Sequence, residues 1–168
     1  MSGHAARFVH RELEKRDGVR TELIDIGGLT HRLDDSGEGT GDTGFGDSMA
    51  LADAIVIVTP EYNHAMPGLL KHVLDSCLKE YIHKAAGIVA VSAGPFGGTR
   101  VIETSLPVLR ELGLVTIFWD VNVGSVAKVF DEYWRPFIES LEAPGEKLST
   151  PREPMPEEHA VAVQAASR

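Results

Sequence analysis

Two short segments of the sequence combine residues that suit ligand binding. Residues 60–64, PEYNH, come directly after an apolar run at 54–59, and residues 92–100, SAGPFGGTR, close an apolar run at 87–92. The first segment offers an aromatic ring and amide groups. In the second, closely spaced glycines allow the backbone to approach a ligand, because glycine carries no side chain to obstruct it. Together they predict a ligand site made by two loops.

These loops suit a flat heterocycle with polar edges. Backbone amides can hydrogen-bond the carbonyl and nitrogen edge of an isoalloxazine ring while aromatic and apolar groups cover its face. Nucleophilic and metal chemistry fit poorly: Ser92 is not in a G-x-S-x-G context, and His64 and His72 have no Asp or Glu at ligand spacing. The lone Cys77 lies on an apolar helical stripe, which is typical of a buried hydrophobe. We therefore expect no catalytic side chain and no metal site.

The positions of the two loops depend on a predicted parallel sheet. Three runs, at residues 54–59, 87–92 and 115–123, are apolar enough for strands that are covered on both faces. Residues 19–26, VRTELIDI, alternate less regularly and predict an outer strand. Because helical patterns separate the runs, the sequence predicts βαβ units and an α/β fold. In such a sheet, ligands bind beyond the carboxyl ends of the strands, where both loops begin.

Four helices are predicted along the chain. The first covers residues 5–16, and another covers residues 99–112, where Pro107 should kink or split it. A third begins at Pro67, because proline is favoured at the start of a helix. Its apolar stripe comprises Leu70, Val73, Leu74, Cys77, Leu78 and Tyr81. The last is expected at residues 131–141.

Composition narrows the class of protein. The length of 168 residues, with 43% hydrophobic and 24% charged residues, fits one globular domain. We place it at residues 1–143, followed by a polar, flexible tail at 144–168. The net charge of -9 argues against nucleic-acid binding, which draws its affinity from clustered Lys and Arg. A single cysteine fits a reducing cytoplasm, and no apolar run approaches the ~20 residues that cross a bilayer.

One further segment, at residues 27–46, is rich in Gly, Asp and Thr and predicts a long surface loop. Composition leaves two roles for this loop open. It either gates a site or merely connects two elements.

The two loop segments also carry a family resemblance. Residues 59–64, TPEYNH, followed by PGLLK at 67–71, resemble the signature of the NADPH-dependent FMN reductase family, which includes flavin, quinone, azo-dye and chromate reductases. Residues 92–100 are similar to that family's second flavin loop. The resemblance extends over residues 2–132 and leaves the C-terminal tail unmatched. Two motifs in the right order, each followed by a helix, make the resemblance specific.

The resemblance implies a flavodoxin-like, doubly wound parallel sheet in three α/β/α layers. It implies FMN as the bound cofactor, NADPH or NADH as the electron donor, and a small acceptor such as free flavin or a quinone. It also implies a homodimer or homotetramer. Hydride transfer would be carried by the flavin, so no catalytic side chain is needed.

The cofactor-binding residues that the resemblance implies fall into three groups. The first group lies along the isoalloxazine and comprises Pro60, Glu61, Tyr62 and Asn63. The second lines the other edge of the ring and comprises Ser92, Gly94, Gly97 and Gly98. Ser2 would match the last phosphate-contacting serine. Two interpretations stay open for each of two residues. Glu61 either shapes its loop or is an ordinary exposed carboxylate. Tyr62 either borders the flavin or packs at a helix start.

The chain departs from the family at its beginning. Family members open with a buried strand and a Gly-Ser-x-Arg phosphate loop, whereas here Met1 stands almost at the first helix. We see no other segment that replaces this central strand, and its loss would leave backbone groups of two neighbouring strands unpaired. The favoured explanation is a truncated sequence. The other is direct pairing of residues 19–26 with residues 54–59.

The missing strand and phosphate loop also allow a non-catalytic function. Without the phosphate loop, the domain could be a cofactor-free, flavodoxin-like module that acts as a binding or regulatory partner. An absorbance scan before and after addition of FMN separates the two functions.

Overall fold

The computed structural model describes residues 1–32 and 43–130 and the backbone of residues 159–164. Its strands are β1 (Arg20–Asp25), β2 (Ala54–Pro60), β3 (Ala85–Val91), β4 (Val115–Thr116), β5 (Val121–Val123) and β6 (His159–Gln164). Its helices are α1 (Ser2–Glu14), α2 (Thr43–Leu51), α3 (Gly68–Leu74), α4 (Thr99–Glu111) and α5 (Val126–Val129). A short 3-10 helix, Ile26–Gly28, follows β1.

All pairs of neighbouring strands run parallel. The strand order is β1-β6-β2-β3-β4, and β5 pairs with the carboxyl half of β3, beyond β4. The predicted α/β fold with a flavodoxin-like parallel sheet is confirmed. The predicted outer strand is confirmed as β1, which begins one residue later and ends one residue earlier than expected.

The strand between β1 and β2 comes from the C-terminal end of the chain. β6 pairs with all six residues of β1 and with five residues of β2, so β1 and β2 do not pair with each other. Direct pairing between the segments at 19–26 and 54–59, the less favoured of the two explanations, is therefore wrong. The expectation that no other segment replaces the central strand is also wrong, and residues 159–164 are not part of a flexible tail. Their sequence, HAVAVQ, has small and β-branched residues that suit a strand.

Helices cover both faces of the sheet. On one face, Ala5 and Ala6 of α1 pack in a cluster with Val58, Val89 and Val126. On the other face, α2, α3 and α4 contribute buried side chains to a larger core over β2 and β3. This core includes Phe45, Met49, Leu70, Leu74, Ile57, Ile88, Val101 and Leu109. The result is the predicted arrangement of three α/β/α layers.

The segment at 115–123, predicted as one strand, forms two short strands. Residues 117–120 leave the sheet between β4 and β5, and Phe118 and Trp119 in this break are strongly exposed. The apolar pattern alone did not distinguish this exposed stretch from a buried strand. Both short strands still pair with β3.

The helix after Pro67 is shorter than its apolar stripe. α3 ends at Leu74 with Asp75 as its C-cap, so the later stripe positions lie in turns. Cys77 and Tyr81 are nevertheless buried, whereas Leu78 is 58% exposed, so its predicted place in the core is wrong. Pro107 lies inside α4, which is not split there.

Other predicted segments fall partly outside the described residues. Residues 43–46 of the predicted long loop belong to α2, and residues 33–42 lie outside the described part. The predicted helix at 131–141 also lies outside it. No helix in the described ranges is both long and apolar enough to cross a membrane.

Candidate functional site

The two predicted loops start side by side at the carboxyl edge of the sheet. Pro60 and Val91, the last residues of β2 and β3, are register partners. The amide of Glu61 donates to the carbonyl of Val91 at 3.0 Å, which extends the pairing by one step. Because parallel strands end at a common edge, the segments that sequence analysis linked are adjacent in space.

The first loop turns sharply after Glu61. Tyr62 and Ala65 exchange two backbone hydrogen bonds of 3.0 Å, and Asn63 and His64 between them have φ angles of 49° and 68°. Two positive φ angles in a two-residue hairpin define a type I′ turn, in which asparagine is well tolerated. The turn leaves the Tyr62 side chain 47% exposed at the sheet edge. Tyr62 therefore does not pack into the core at a helix start.

The second loop depends on two glycines before α4. Gly97 and Gly98 have φ angles of 63° and 76°, which residues with a side chain rarely adopt. A Cβ on Gly98 would also lie 2.7 Å from the Cβ of Ala90, so glycine lets the loop lie directly on β3. Gly94 differs, because a Cβ there would have no atom within 4 Å.

Residues of β5 and the segment after it hold the glycine loop in place. Asn122 donates from Nδ2 to the carbonyl of Gly97 at 3.1 Å, and the amide of Ser92 donates to the carbonyl of Val123 at 3.0 Å. The amide of Ser125 donates to the carbonyl of Gly94 at 2.8 Å. Sequence analysis missed this support, since the pairing of β5 with β3 has no local signal.

A charged contact joins the two loops. Arg100 donates from Nη1 to Oε1 of Glu61 at 3.3 Å, and the Arg100 guanidinium lies 5.0 Å from the ring centre of Phe96. The Glu61 side chain is only 10% exposed, so it is not an ordinary exposed carboxylate. Its second oxygen, Oε2, is buried and has no hydrogen-bond partner among the described residues. Arg100 belongs to the quoted motif, but sequence analysis gave it no role.

The amino end of α1 lies at the same edge of the sheet. Ala5 and Ala6 share a cluster with Val91, the last residue of β3, and with Val58 near the end of β2. Ser2, the first residue of α1, is buried. A helix amino end carries partial positive charge and exposed amides, which favour anions.

The predicted site residues therefore lie at the carboxyl edge of the sheet, on three separate segments of the chain. The loop after β2 carries Pro60, Glu61, Tyr62 and Asn63. The loop after β3 carries Ser92, Gly94, Gly97 and Gly98. Ser2 begins the helix that covers one face of these strands.

Cys77 and His72, for which the sequence predicts no chemistry, lie in the core and on α3 respectively. Burial raises the pKa of the Cys77 thiol, which opposes formation of a reactive thiolate. His72 and His31 meet edge to face with ring centres 6.0 Å apart. Within residues 1–32 and 43–130, no three His, Cys, Asp or Glu side chains are grouped to hold a metal ion.

A parallel sheet covered by helices on both faces, with two such loops and a helix amino end at one edge, is the arrangement of a flavodoxin-like fold. The chain matches the sequence profile described as NADPH-dependent FMN reductase over residues 1–128. It belongs to that family.

The names of curated relatives are consistent with membership of this family. The chain is 34% identical over 90 residues to an NAD(P)H-dependent FMN reductase of Pseudomonas aeruginosa, covering 49% of each protein. It is 35% identical over 92 residues to a 2-hydroxy-1,4-benzoquinone reductase of Burkholderia sp, covering 51% of this chain and 50% of the relative. It is 43% identical over 54 residues to an NADPH azoreductase of Bacillus sp. strain OY1-2, covering 32% and 30%. The chain thus spans half or less of the length of these relatives.

A solved structure supports the fold independently. FerB of Paracoccus denitrificans, a flavoenzyme NAD(P)H:(acceptor) oxidoreductase, superimposes with a TM-score of 0.55 at 21% identity. The alignment covers 82% of this chain and 86% of FerB.

Proposed function

We propose that this protein is an FMN-dependent oxidoreductase that passes electrons from NADPH or NADH to a small acceptor. The proposal depends mainly on one observation. The loops after β2 and β3 begin side by side at the ends of these strands, and the contact between Glu61 and Arg100 holds them together. Membership of the NADPH-dependent FMN reductase family supports it.

The backbone of the two loops fits the polar edge of a flavin ring. Among the described residues, the amides of Asn63, His64, Gly94 and Gly97 donate to no backbone carbonyl. Loop amides without protein partners at a sheet edge are available to the carbonyl oxygens and nitrogens of an isoalloxazine. The open space beside Gly94 gives such a ring close access to the main chain.

Each group of residues then has a physical task. Pro60, Glu61, Tyr62 and Asn63 lie along the ring, and Tyr62 supplies an aromatic border. Ser92, Gly94, Gly97 and Gly98 line the opposite edge, where the two positive φ angles keep the loop close to β3. Ser2 and the amino end of α1 face the phosphate, which the helix dipole favours.

The protein supplies binding and orientation. When bound, FMN supplies the redox chemistry, accepting hydride from a nicotinamide and passing electrons to the acceptor. No side chain at the site needs to carry a proton to or from substrate for this exchange. A quinone or free flavin is the favoured acceptor class, because the names of several relatives specify quinone or FMN reduction.

We also propose that the protein acts in the cytoplasm as a homodimer, with a homotetramer as the alternative. Phe118 and Trp119 are 86% and 78% exposed, and their rings contact each other edge to face at 4.9 Å. Val121 and Ile117 beside them are also exposed. A contiguous apolar patch of this kind marks a protein interface, and a second copy offers a matching surface.

A flavin titration tests the function. Purified protein should show flavin absorbance, or gain it on addition of FMN, and should then oxidise NADPH or NADH in the presence of a quinone. An unchanged FMN spectrum and no nucleotide oxidation would favour the cofactor-free module instead.

A loop variant tests the site assignments. Pro60→Gly combined with Asn63→Ala should weaken FMN binding by about tenfold or more while costing only about 1 to 2 kcal/mol of stability. His83→Ala is a matched control, because His83 also has a positive φ of 68° but lies two residues before β3, at the amino end of that strand. Full flavin affinity in the double variant would exclude these contacts.

A further inference from the structure

We propose that β1 and β2 bound a strand slot whose occupant is the chain's own C-terminal segment, residues 159–164, and that filling this slot is required for FMN binding. The requirement for FMN rests on the proposed function. Occupation of the slot does not, and it can be tested separately.

The register shows that the strand slot is a complete binding site for one strand. Leu23 of β1 and Val56 of β2 both take Ala162 as their register partner. Pairing continues from Arg20 opposite His159 to Asp25 opposite Gln164. β6 therefore satisfies the backbone groups of both neighbours along nearly their whole length, which no side-chain contact could replace.

The slot is also covered above and below. α1 packs over β6 and β1 on one face, and α2 approaches β6 on the other. An empty slot would expose two strand edges and the inner surfaces of both helices. A strand in this position thus stabilises the two halves of the sheet as one unit.

The direction of β6 links the slot to the proposed flavin site. β6 is parallel to its neighbours, so Gln164 lies at the carboxyl edge, opposite Val58. Val58 lies two residues before the first residue of the PEYNH loop and packs in one cluster with Ala5 and Ala6 at the amino end of α1. Removing the strand releases β2 from its neighbour and α1 from the strand beneath it, so both pieces of the site lose their support.

α1 covers one face of β6, and α2 approaches the other. The carboxyl end of β6 lies at the same edge of the sheet as the carboxyl end of β2. In doubly wound sheets, ligands bind beyond this edge. The C-terminal strand therefore forms one wall of the crevice where FMN is expected.

The strand reaches the slot through a long connection. Residues 131–158 stand between α5 and β6 in the sequence. A separation of this many residues is compatible with insertion of β6 into the same chain or into a second copy. We assign the same chain, because the slot, α1 and β6 form one compact unit here.

Cysteine pairs test which strand fills the slot. Leu23→Cys with Ala162→Cys places thiols on register partners, so mild oxidation should give a disulfide within one chain. Leu23→Cys with Val161→Cys is the matched control, since the register partner of Val161 is Glu22 and not Leu23. The native Cys77 is buried and is present in both variants.

Mobility on a non-reducing gel distinguishes the outcomes. A faster-migrating monomer for the register pair alone supports the proposal. A disulfide-linked dimer would overturn the assignment to the same chain, and equal cross-linking of both pairs, or none, would overturn the register of β6.

A second experiment tests the link to the cofactor. Ala162→Pro removes a backbone donor in the middle of β6, so FMN affinity should fall by about tenfold or more. Glu157→Pro, which precedes the strand, is the control and should bind FMN normally. A chain ending at residue 158 should regain FMN binding when a synthetic peptide of residues 157–168 is added, and a scrambled peptide should have no effect.

The two proposals fail in different ways. If Ala162→Pro and the shortened chain bind FMN as tightly as the full chain, the strand slot does not support the cofactor site. If the full chain itself binds no FMN, the proposed function fails, and the disulfide pattern still decides whether β6 fills the slot.

Discussion

Arg100 Nη1 lies 3.3 Å from Glu61 Oε1 and joins the loop after β2 to the first turn of α4. Glu61 is nearly buried, whereas Arg100 is 45% exposed and rests on Phe96. The contact fixes the separation of the two loops that line the proposed flavin site. Its energetic value comes mainly from satisfying a buried carboxylate, because a solvent-exposed guanidinium alone gains little.

Breaking this contact should destabilise the fold moderately. Arg100→Leu leaves the Glu61 carboxylate without its partner, so the free energy of unfolding should fall by about 1 to 3 kcal/mol in urea titrations. Adding Glu61→Gln should recover part of that loss, since the buried charge is removed. Additive effects of the two substitutions would show that the pair is not coupled.

Glycine 98 should tolerate no side chain. Gly98→Ala places a Cβ 2.7 Å from that of Ala90 at a φ of 76°, so stability should fall by about 2 to 4 kcal/mol. Gly94→Ala is the control and should change stability by less than about 0.5 kcal/mol, because its Cβ meets open space. Thermal unfolding of both variants measures the difference. Equal melting temperatures would refute the close approach of this loop to β3.

The end of α3 can be checked with two leucines on the predicted stripe. Leu74→Ala empties a fully buried position and should cost about 2 to 5 kcal/mol. Leu78→Ala should cost less than about 0.5 kcal/mol, because the side chain is mostly exposed. Urea unfolding compares them directly. A large loss for Leu78→Ala would restore the longer helix that the sequence predicts.

Alkaline pH should destabilise the protein through Tyr81 and Cys77. Burial raises the pKa of the Tyr81 phenol far above its ordinary value of 10.0 and also raises the pKa of the Cys77 thiol above 9.0. The folded state therefore retains protons that the unfolded state loses, so stability is full below about pH 9 and falls as pH rises above it.

Tyr81→Phe isolates the larger part of this effect. Tyr81 is buried and its hydroxyl interacts with the Cys77 thiol, a weak hydrogen-bonding group, so removal of the hydroxyl at neutral pH should cost only about 1 kcal/mol. Between about pH 9 and 11 the variant should lose less stability than the unaltered protein. Parallel stability profiles for the two proteins would contradict this assignment.

The placement of the two loops at one edge of the sheet was predictable because its signals are local. Residues 60–64 and 92–100 each follow an apolar run, and strand ends in a parallel sheet meet at one edge. The positive φ angles of Gly97 and Gly98 follow from residue type in the same way. Leu78 shows the limit, since periodicity does not reveal where a helix ends.

The roles of Arg100 and Asn122 were not predictable. Arg100 reaches Glu61 across 39 positions of sequence, and Asn122 holds Gly97 across 25. Both contacts depend on how α4 and β5 are placed against β3. No sequence spacing encodes that placement, because it is the outcome of packing the whole layer.

The sequence by itself determined the class of fold, the two inner apolar runs at 54–59 and 87–92, and the loops that follow them, since each depends on residue type and on spacing along a short stretch. Only the tertiary structure decided that residues 159–164 lie between β1 and β2. The sequence of a short apolar segment does not indicate which strands it pairs with. β6 pairs with strands more than 100 residues away because both have backbone groups that need hydrogen-bond partners.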